Sequence, residues 1–140
     1  MKHTTFIVWV RRNAEGSTHS VLSPFGVDNV GFITQSGACY FKTNEVGGFA
    51  TVYTDYQTWH CVTFRVNGSS SADIYKDGAS IVSFDPIDSV TTGTGLLLGY
   101  ITGTAVGGDY DFAELIQYAT ALSDADRAIV EAYLIAKWGL

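Results

Sequence analysis

Two aspartates at alternate positions, Asp109 and Asp111, have the spacing in this sequence that comes nearest to an acid–base pair. Alternate residues of a strand share one face, and retaining glycosidases hold two carboxyl groups roughly 5 Å apart. No glutamate accompanies this pair at a matching position, and no Gly-x-Ser-x-Gly turn presents a nucleophile. The sequence therefore predicts solvated strand-end carboxylates and a protein that is not an enzyme.

Oxygen ligands for calcium are the next chemistry to consider. Asp85 with Asp88, and Asp109 with Asp111, could offer carboxylates in loops. Neither pair matches a dedicated calcium loop, and aspartate is common in ordinary turns. The three histidines lack metal spacing as well. We therefore expect no metal site and no cofactor, with calcium the alternative.

Aromatic side chains form a third candidate site, made of Tyr53, Tyr56 and Trp59 around one loop. Sugar-binding sandwiches present such rings to the apolar face of a pyranose. The competing interpretation is that Trp59 and Tyr53 pack in the core, while Tyr56 is expected to be an exposed loop aromatic. Glu114 is expected to be a buried, structural carboxylate.

Composition limits the classes of protein. The 140 residues are 46% hydrophobic and 16% charged, which predicts one globular domain spanning residues 1–140. The net charge of −6 offers no basic stripe for nucleic acid. The amino-terminal segment is typical of a strand rather than a signal peptide, and no apolar run is long enough to span a bilayer. Cys39 and Cys61 are expected to be buried free thiols.

The elements that must position these residues are short strands followed by one helix. Asp77-Gly78 predicts a type I′ hairpin, because this dipeptide readily adopts positive φ angles. Ser123 predicts the start of a helix over about 123–138 that buries Ile129, Tyr133 and Trp138. The strands are expected at 5–12, 20–25, 31–35, 38–42, 49–53, 58–67, 72–76, 80–84, 96–101 and 110–118.

Several of these segments resemble the concanavalin A-like, laminin-G-like jelly-roll family. They are the Trp59-His60 strand, the hairpin 75–78, the Ala113-Glu114 pair and a helix ending in Lys137-Trp138-Gly139. The resemblance covers most of the chain and implies an antiparallel jelly-roll β-sandwich with one C-terminal amphipathic helix. Glycoside hydrolases share this fold, as do binding modules.

One departure from the family bears on assembly. Many members have a segment before the strand at 5–12, and its apparent loss suggests a shortened form with an open sheet edge. Phe6, Val8 and Trp9 would then form an assembly edge. This predicts a homo-oligomer or a subunit bound to other assembly components, with no nucleic-acid or membrane partner.

The function expected from these observations is a non-catalytic structural or adhesive jelly-roll module. Its expected setting is a virus or phage particle, as a decoration or fibre protein, or another extracellular assembly, and otherwise the cytoplasm. The first alternative is a carbohydrate-binding, lectin-like domain with a glycan partner. The second alternative is a glycoside hydrolase.

Overall fold

The computed structural model describes residues 2–12, 19–23, 31–35, 38–42, 49–67, 71–84, 97–98 and 109–140. Over these ranges the chain forms ten strands and one helix, which follow one another as β1 (Lys2–Arg11), β2 (His19–Ser23), β3 (Gly31–Gln35), β4 (Ala38–Lys42), β5 (Phe49–Tyr53), β6 (His60–Asn67), β7 (Ser71–Lys76), β8 (Ala79–Phe84), β9 (Leu97–Leu98), β10 (Tyr110–Tyr118) and α1 (Asp124–Trp138). The helix is not long and apolar enough to cross a membrane.

The chain divides into two compact units. The first comprises Met1–Val10, Thr58–Ile87 and Asp111–Leu140, and the second Arg11–Gln57 and Asp88–Tyr110. The single domain expected from length and composition stays a prediction. In the second unit a five-stranded sheet has the order β5-β4-β3-β2-β9, and β2 pairs antiparallel with both β3 and β9.

The first unit contains a sheet of order β10-β1-β6-β7-β8 and the helix. Strand β1 has neighbours on both sides, β10 and β6, so the prediction that it forms an open edge is wrong. Phe6 and Val8 are 0% exposed and Trp9 is 1% exposed. The second neighbour, β10, follows about a hundred residues later in the chain. Such a distant pairing leaves no local signal in the sequence.

The hairpin between β7 and β8 is confirmed. Asp77 has φ 50° and Gly78 has φ 84°, the two positive values that a type I′ turn requires. Lys76 faces Ala79 across the turn. The dipeptide thus sets the register of the last two strands of the sheet.

Substituting Gly78 isolates this backbone requirement. A Cβ at this position would lie 3.9 Å from the nearest side-chain atoms, which is an ordinary contact, so any destabilisation comes from the positive φ. We expect Gly78→Ala to cost about 1–2 kcal/mol of unfolding free energy. Gly78→Asn should cost less, because asparagine tolerates left-handed backbone. Urea unfolding measures both, and equal losses in the two variants would contradict the turn assignment.

The ends of α1 are also as expected. Ser123 is the N-cap, and its Oγ accepts a hydrogen bond from the Asp126 amide at 3.1 Å. Gly139 closes the helix in the left-handed conformation, with φ 69°, and its amide donates to the Ile135 carbonyl at 2.9 Å. Local capping residues therefore determine where this helix begins and ends.

The face that α1 buries differs from the expectation. Ile129, Tyr133 and Trp138 are 69%, 52% and 42% exposed, so their predicted burial is wrong. The buried residues are Arg127, Glu131 and Leu134. Leu134 joins Phe6, Val8 and Cys61 in an apolar cluster, and the two charged residues bond polar groups of the sheet and of each other. The polar groups on this sheet face decide the rotation of the helix.

Candidate functional site

A surface pocket of about 250 Å³ lies in the first unit, lined by Trp59, Ala113, Trp138 and Leu140. Trp59 directly precedes β6, Ala113 lies in β10, and the other two residues lie at and beyond the end of α1. Both indoles are partly exposed, Trp59 by 37% and Trp138 by 42%. The pocket is therefore an apolar recess with two solvent-accessible aromatic walls.

The turn that ends α1 positions the last wall of this pocket. The Leu140 amide donates to the Ile135 carbonyl at 3.1 Å, next to the bond made by Gly139. These two bonds turn the chain back after the helix, and Leu140 packs against the apolar cluster of Phe6, Val8, Cys61 and Leu134. The left-handed backbone of Gly139 is thus a requirement of the pocket as well as of the helix.

A carboxylate holds the second indole in place. Glu114 Oε2 accepts a hydrogen bond from Trp138 Nε1 at 2.9 Å and contacts Lys137 Nζ at the same distance. The hydrogen bond from Lys137, followed by that from Trp138, lowers the pKa of Glu114. Glu114 is partly exposed, so the prediction that it is a buried carboxylate is wrong. Through these two contacts the carboxylate connects the end of the helix to β10 and orients the Trp138 indole.

The structure does not bring the three residues of the predicted aromatic site together in the pocket. Trp59 lines the pocket. Tyr56 is only 4% exposed, which contradicts the expectation of an exposed loop aromatic. Tyr53 lies in β5, and its side chain lies outside the described residues. Trp138 was expected to be a core anchor, and its role as a pocket wall has no sequence signal beyond its aromatic type.

A second pocket, of about 370 Å³, is polar and includes Arg65 and Asp73 in its lining. Arg65 Nε and Nη2 donate to Asp73 at 3.1 and 2.8 Å, and Nη2 also donates to Tyr75 at 2.7 Å. Nη1 donates to Asp124 at 2.5 Å and to the Leu122 carbonyl at 3.4 Å. All five donors of the guanidinium are thus engaged, and Arg65 joins the sheet to the start of the helix. It is not free to bind an anion.

The buried carboxylate of this unit is Glu131. Its Oε1 accepts a hydrogen bond from Thr63 Oγ1 at 2.7 Å, and its Oε2 pairs with Arg127. The guanidinium of Arg127 also lies over the Tyr75 ring, 3.6 Å from the centroid. This network gives both buried charged groups a partner, although Arg127 Nε makes no hydrogen bond, and it joins the helix to β6 and β7.

His60 and Cys61, at the start of β6, both contact the hairpin residue Asp77. His60 Nδ1 is 2.7 Å from Asp77 Oδ2, and the Cys61 amide donates to Asp77 Oδ1 at 2.9 Å. Burial tends to raise the pKa of Asp77, but these two hydrogen bonds outweigh it and leave the pKa lowered. Cys61 is a buried free thiol, as expected, and burial raises its pKa to about 12. Such a thiol is a poor nucleophile.

Among the described residues, the predicted carboxylate pairs do not form a catalytic or metal-binding site. Asp109 is exposed and Asp111 half-buried, while Asp85 and Asp88 lie outside the described residues. Within the part of the chain that is described, no group of three or more His, Cys, Asp or Glu side chains could hold a metal ion. The side chain of Cys39 also lies outside this part.

Comparison with solved structures gives the fold a context. The chain is similar to the receptor-binding domain of botulinum neurotoxin type G, with a TM-score of 0.72 and 11% identity over 95% of this chain and 38% of that one. The binding domain of botulinum neurotoxin DC in complex with SialylT gives a TM-score of 0.69 and 16% identity, over 94% and 36% of the two chains.

A third similar structure is of botulinum neurotoxin type C, whose cell entry is described as dependent upon interaction with two ganglioside molecules. It gives a TM-score of 0.69 and 16% identity over 95% of this chain and 36% of that one. The chain thus spans less than two fifths of the length of these domains. No family model and no curated protein matches the sequence.

Identities this low show the fold alone. The expected concanavalin A-like or laminin-G-like family therefore stays a prediction, although the fold class is confirmed. The chain shares the all-β, jelly-roll-like fold of these toxin domains, with antiparallel sheets and a helix after the last described strand.

Proposed function

We propose that this chain is a non-catalytic binding module that recognises a glycan through the pocket of Trp59, Ala113, Trp138 and Leu140. The observation that carries the proposal is the presence of two partly exposed indoles on one apolar pocket. Of the functions considered from the sequence, the lectin-like alternative thus has more support than the structural module. The expected homo-oligomer and virus or phage particle stay predictions, without the strand edge from which assembly was argued.

The chemistry of the pocket suits a sugar ring. A pyranose has one face of C–H groups, which packs on an indole, and an edge of hydroxyl groups that need polar partners. The volume of about 250 Å³ lies just below the range for small-molecule sites, roughly 300–1,000 Å³. This size favours one terminal sugar over a larger ligand.

Preorganisation adds to this argument. Trp138 is held by its hydrogen bond to Glu114, and Leu140 is held by the helix-ending turn. A wall that is already ordered loses little side-chain entropy when a ligand binds. Sugars bind proteins weakly in general, so a fixed aromatic surface is of particular benefit to a glycan site.

The solved neighbours support the same function at the level of analogy. Their descriptions name a receptor-binding domain, a complex with SialylT and an interaction with ganglioside molecules. The part that this chain matches is less than two fifths of those chains, so the transfer of glycan binding to this chain is part of the proposal.

The test is a glycan array followed by titration calorimetry on the purified chain. We expect saturable binding to a defined glycan, weakened about tenfold or more in Trp138→Ala and in Trp59→Ala, which corresponds to about 1.4 kcal/mol. Ile129→Ala is the control, because this apolar residue is exposed on the same helix and does not line the pocket. Binding that is absent, or lost equally in the control, would overturn the proposal.

A further inference from the structure

We infer that the pocket selects an uncharged sugar and discriminates against sialylated glycans, with Glu114 as the residue that determines this specificity. The inference rests on the proposed function and names the ligand class of the same site. It differs from what the descriptions of the solved neighbours suggest, because gangliosides carry the negatively charged sugar sialic acid.

The first step concerns the cation beside the pocket. Lys137 precedes the lining residue Trp138, and its Nζ lies 2.9 Å from Glu114 Oε2. A carboxylate-bearing sugar gains its strongest contact from a lysine or arginine whose charge is available. The charge of Lys137 is already balanced by Glu114, and the Arg65 and Arg127 guanidinium groups are paired with Asp73, Asp124 and Glu131. Among the described residues, the lining of this pocket includes no lysine or arginine, and Lys137 beside it is paired.

The second step concerns the free oxygen of Glu114. Both of its bonds, to Trp138 and to Lys137, use Oε2, and no described residue bonds Oε1. Glu114 does not line the pocket itself, but it accepts the hydrogen bond from Trp138 Nε1, so its carboxylate lies beside the indole that forms one wall. An ionised carboxylate accepts strong hydrogen bonds from hydroxyl donors. Oε1 can thus accept from a sugar hydroxyl while the ring packs on the indoles.

The third step is the cost of placing a sugar carboxylate in the pocket. A sialic acid packed against Trp138 would lose water from its carboxylate beside a Lys137–Glu114 pair of no net charge, which does not repay that cost. The net charge of −6 adds a weaker, salt-sensitive repulsion of anionic ligands during their approach. Both effects leave neutral sugars unaffected.

The experiment uses an array of paired glycans that differ only in a terminal sialic acid, with the full chain as the probe. We expect the wild-type protein to bind neutral members at least about tenfold more tightly than their sialylated partners. Glu114→Gln should bring the ratio close to one, because the variant leaves the charge of Lys137 available to pair with the carboxylate of the sialic acid. Glutamine can still accept the hydrogen bond from Trp138, so the pocket wall keeps its position.

Asp126→Asn is the matched control. It removes one negative charge at the opposite end of the same helix and should leave the ratio unchanged, which separates the local effect of Glu114 from net charge. Equal or tighter binding of sialylated members by the wild type would overturn this inference and leave the glycan-binding function intact. A ratio that Glu114→Gln does not change would also overturn the role of Glu114. Binding to no glycan at all would instead reject the proposed function.

Discussion

Replacing Glu131 with alanine is expected to lower the unfolding free energy by about 3–5 kcal/mol, the cost of leaving one partner of a buried ion pair without its counter-charge. Glu131 is 2% exposed and bonds both Thr63 and Arg127. Its loss leaves the buried guanidinium without its counter-charge and the hydroxyl without its acceptor. Desolvation of these groups then opposes folding.

The measurement is urea unfolding at pH 7, with two comparisons. The double variant Arg127→Met, Glu131→Leu should recover most of the loss, because apolar residues of similar size replace a buried pair at little net cost. Ile129→Ala, on the exposed face of the same helix, should cost less than about 1 kcal/mol. A larger loss for Ile129→Ala than for Glu131→Ala would show that the helix is rotated and would contradict the buried face described above.

Mild acid is expected to destabilise the protein through His3. This residue is buried in β1, and burial lowers its pKa to about 4 from an ordinary value of 6.5. Below pH 6.5 the unfolded chain gains a proton at His3 that the folded chain does not bind until about pH 4. Stability therefore falls as the pH drops between these values, by about 2 kcal/mol from pH 7 to pH 5.

This pH range separates His3 from the carboxylates. Asp77, Asp124 and Glu114 have lowered pKa values, so the stability that they contribute is present above their ordinary values of 3.8, 3.8 and 4.5 and is lost at lower pH. Urea midpoints at pH 7 and pH 5 for the wild type and His3→Gln give the test. The difference between the two pH values should shrink in the variant. A wild-type midpoint that does not move over this range would reject the prediction.

The strands and turns show what local sequence signals can predict. The Asp77-Gly78 hairpin, the Ser123 cap and the Gly139 end depend on backbone conformations that particular residues favour over a few positions, and all three are confirmed. The strand at 110–118 is predicted to the residue, and those at 31–35, 38–42 and 49–53 are as well. These sequence signals share a short range along the chain, since each of them lies within about ten residues.

The candidate site shows the opposite case. Trp59 could be named from its residue type, but its partners Trp138 and Leu140 are about eighty residues away and meet it only in the folded unit. No pattern marks Tyr56 as buried, because its local sequence is that of a loop. Glu114 was expected to be buried, but it is partly exposed, and its partners Lys137 and Trp138 are partly exposed side chains at the end of the helix.

By itself, the sequence determined the all-β class, the order and approximate bounds of the elements, and the capped C-terminal helix, because local backbone preferences and residue periodicity encode these properties. Only the tertiary structure decided that β10 covers the side of β1 and that α1 turns Glu131 inward and Ile129 outward. The apolar stripe of the helix predicts the reverse orientation. Thr63 and Tyr75, on strands far from the helix in sequence, attract its charged pair and outweigh that stripe.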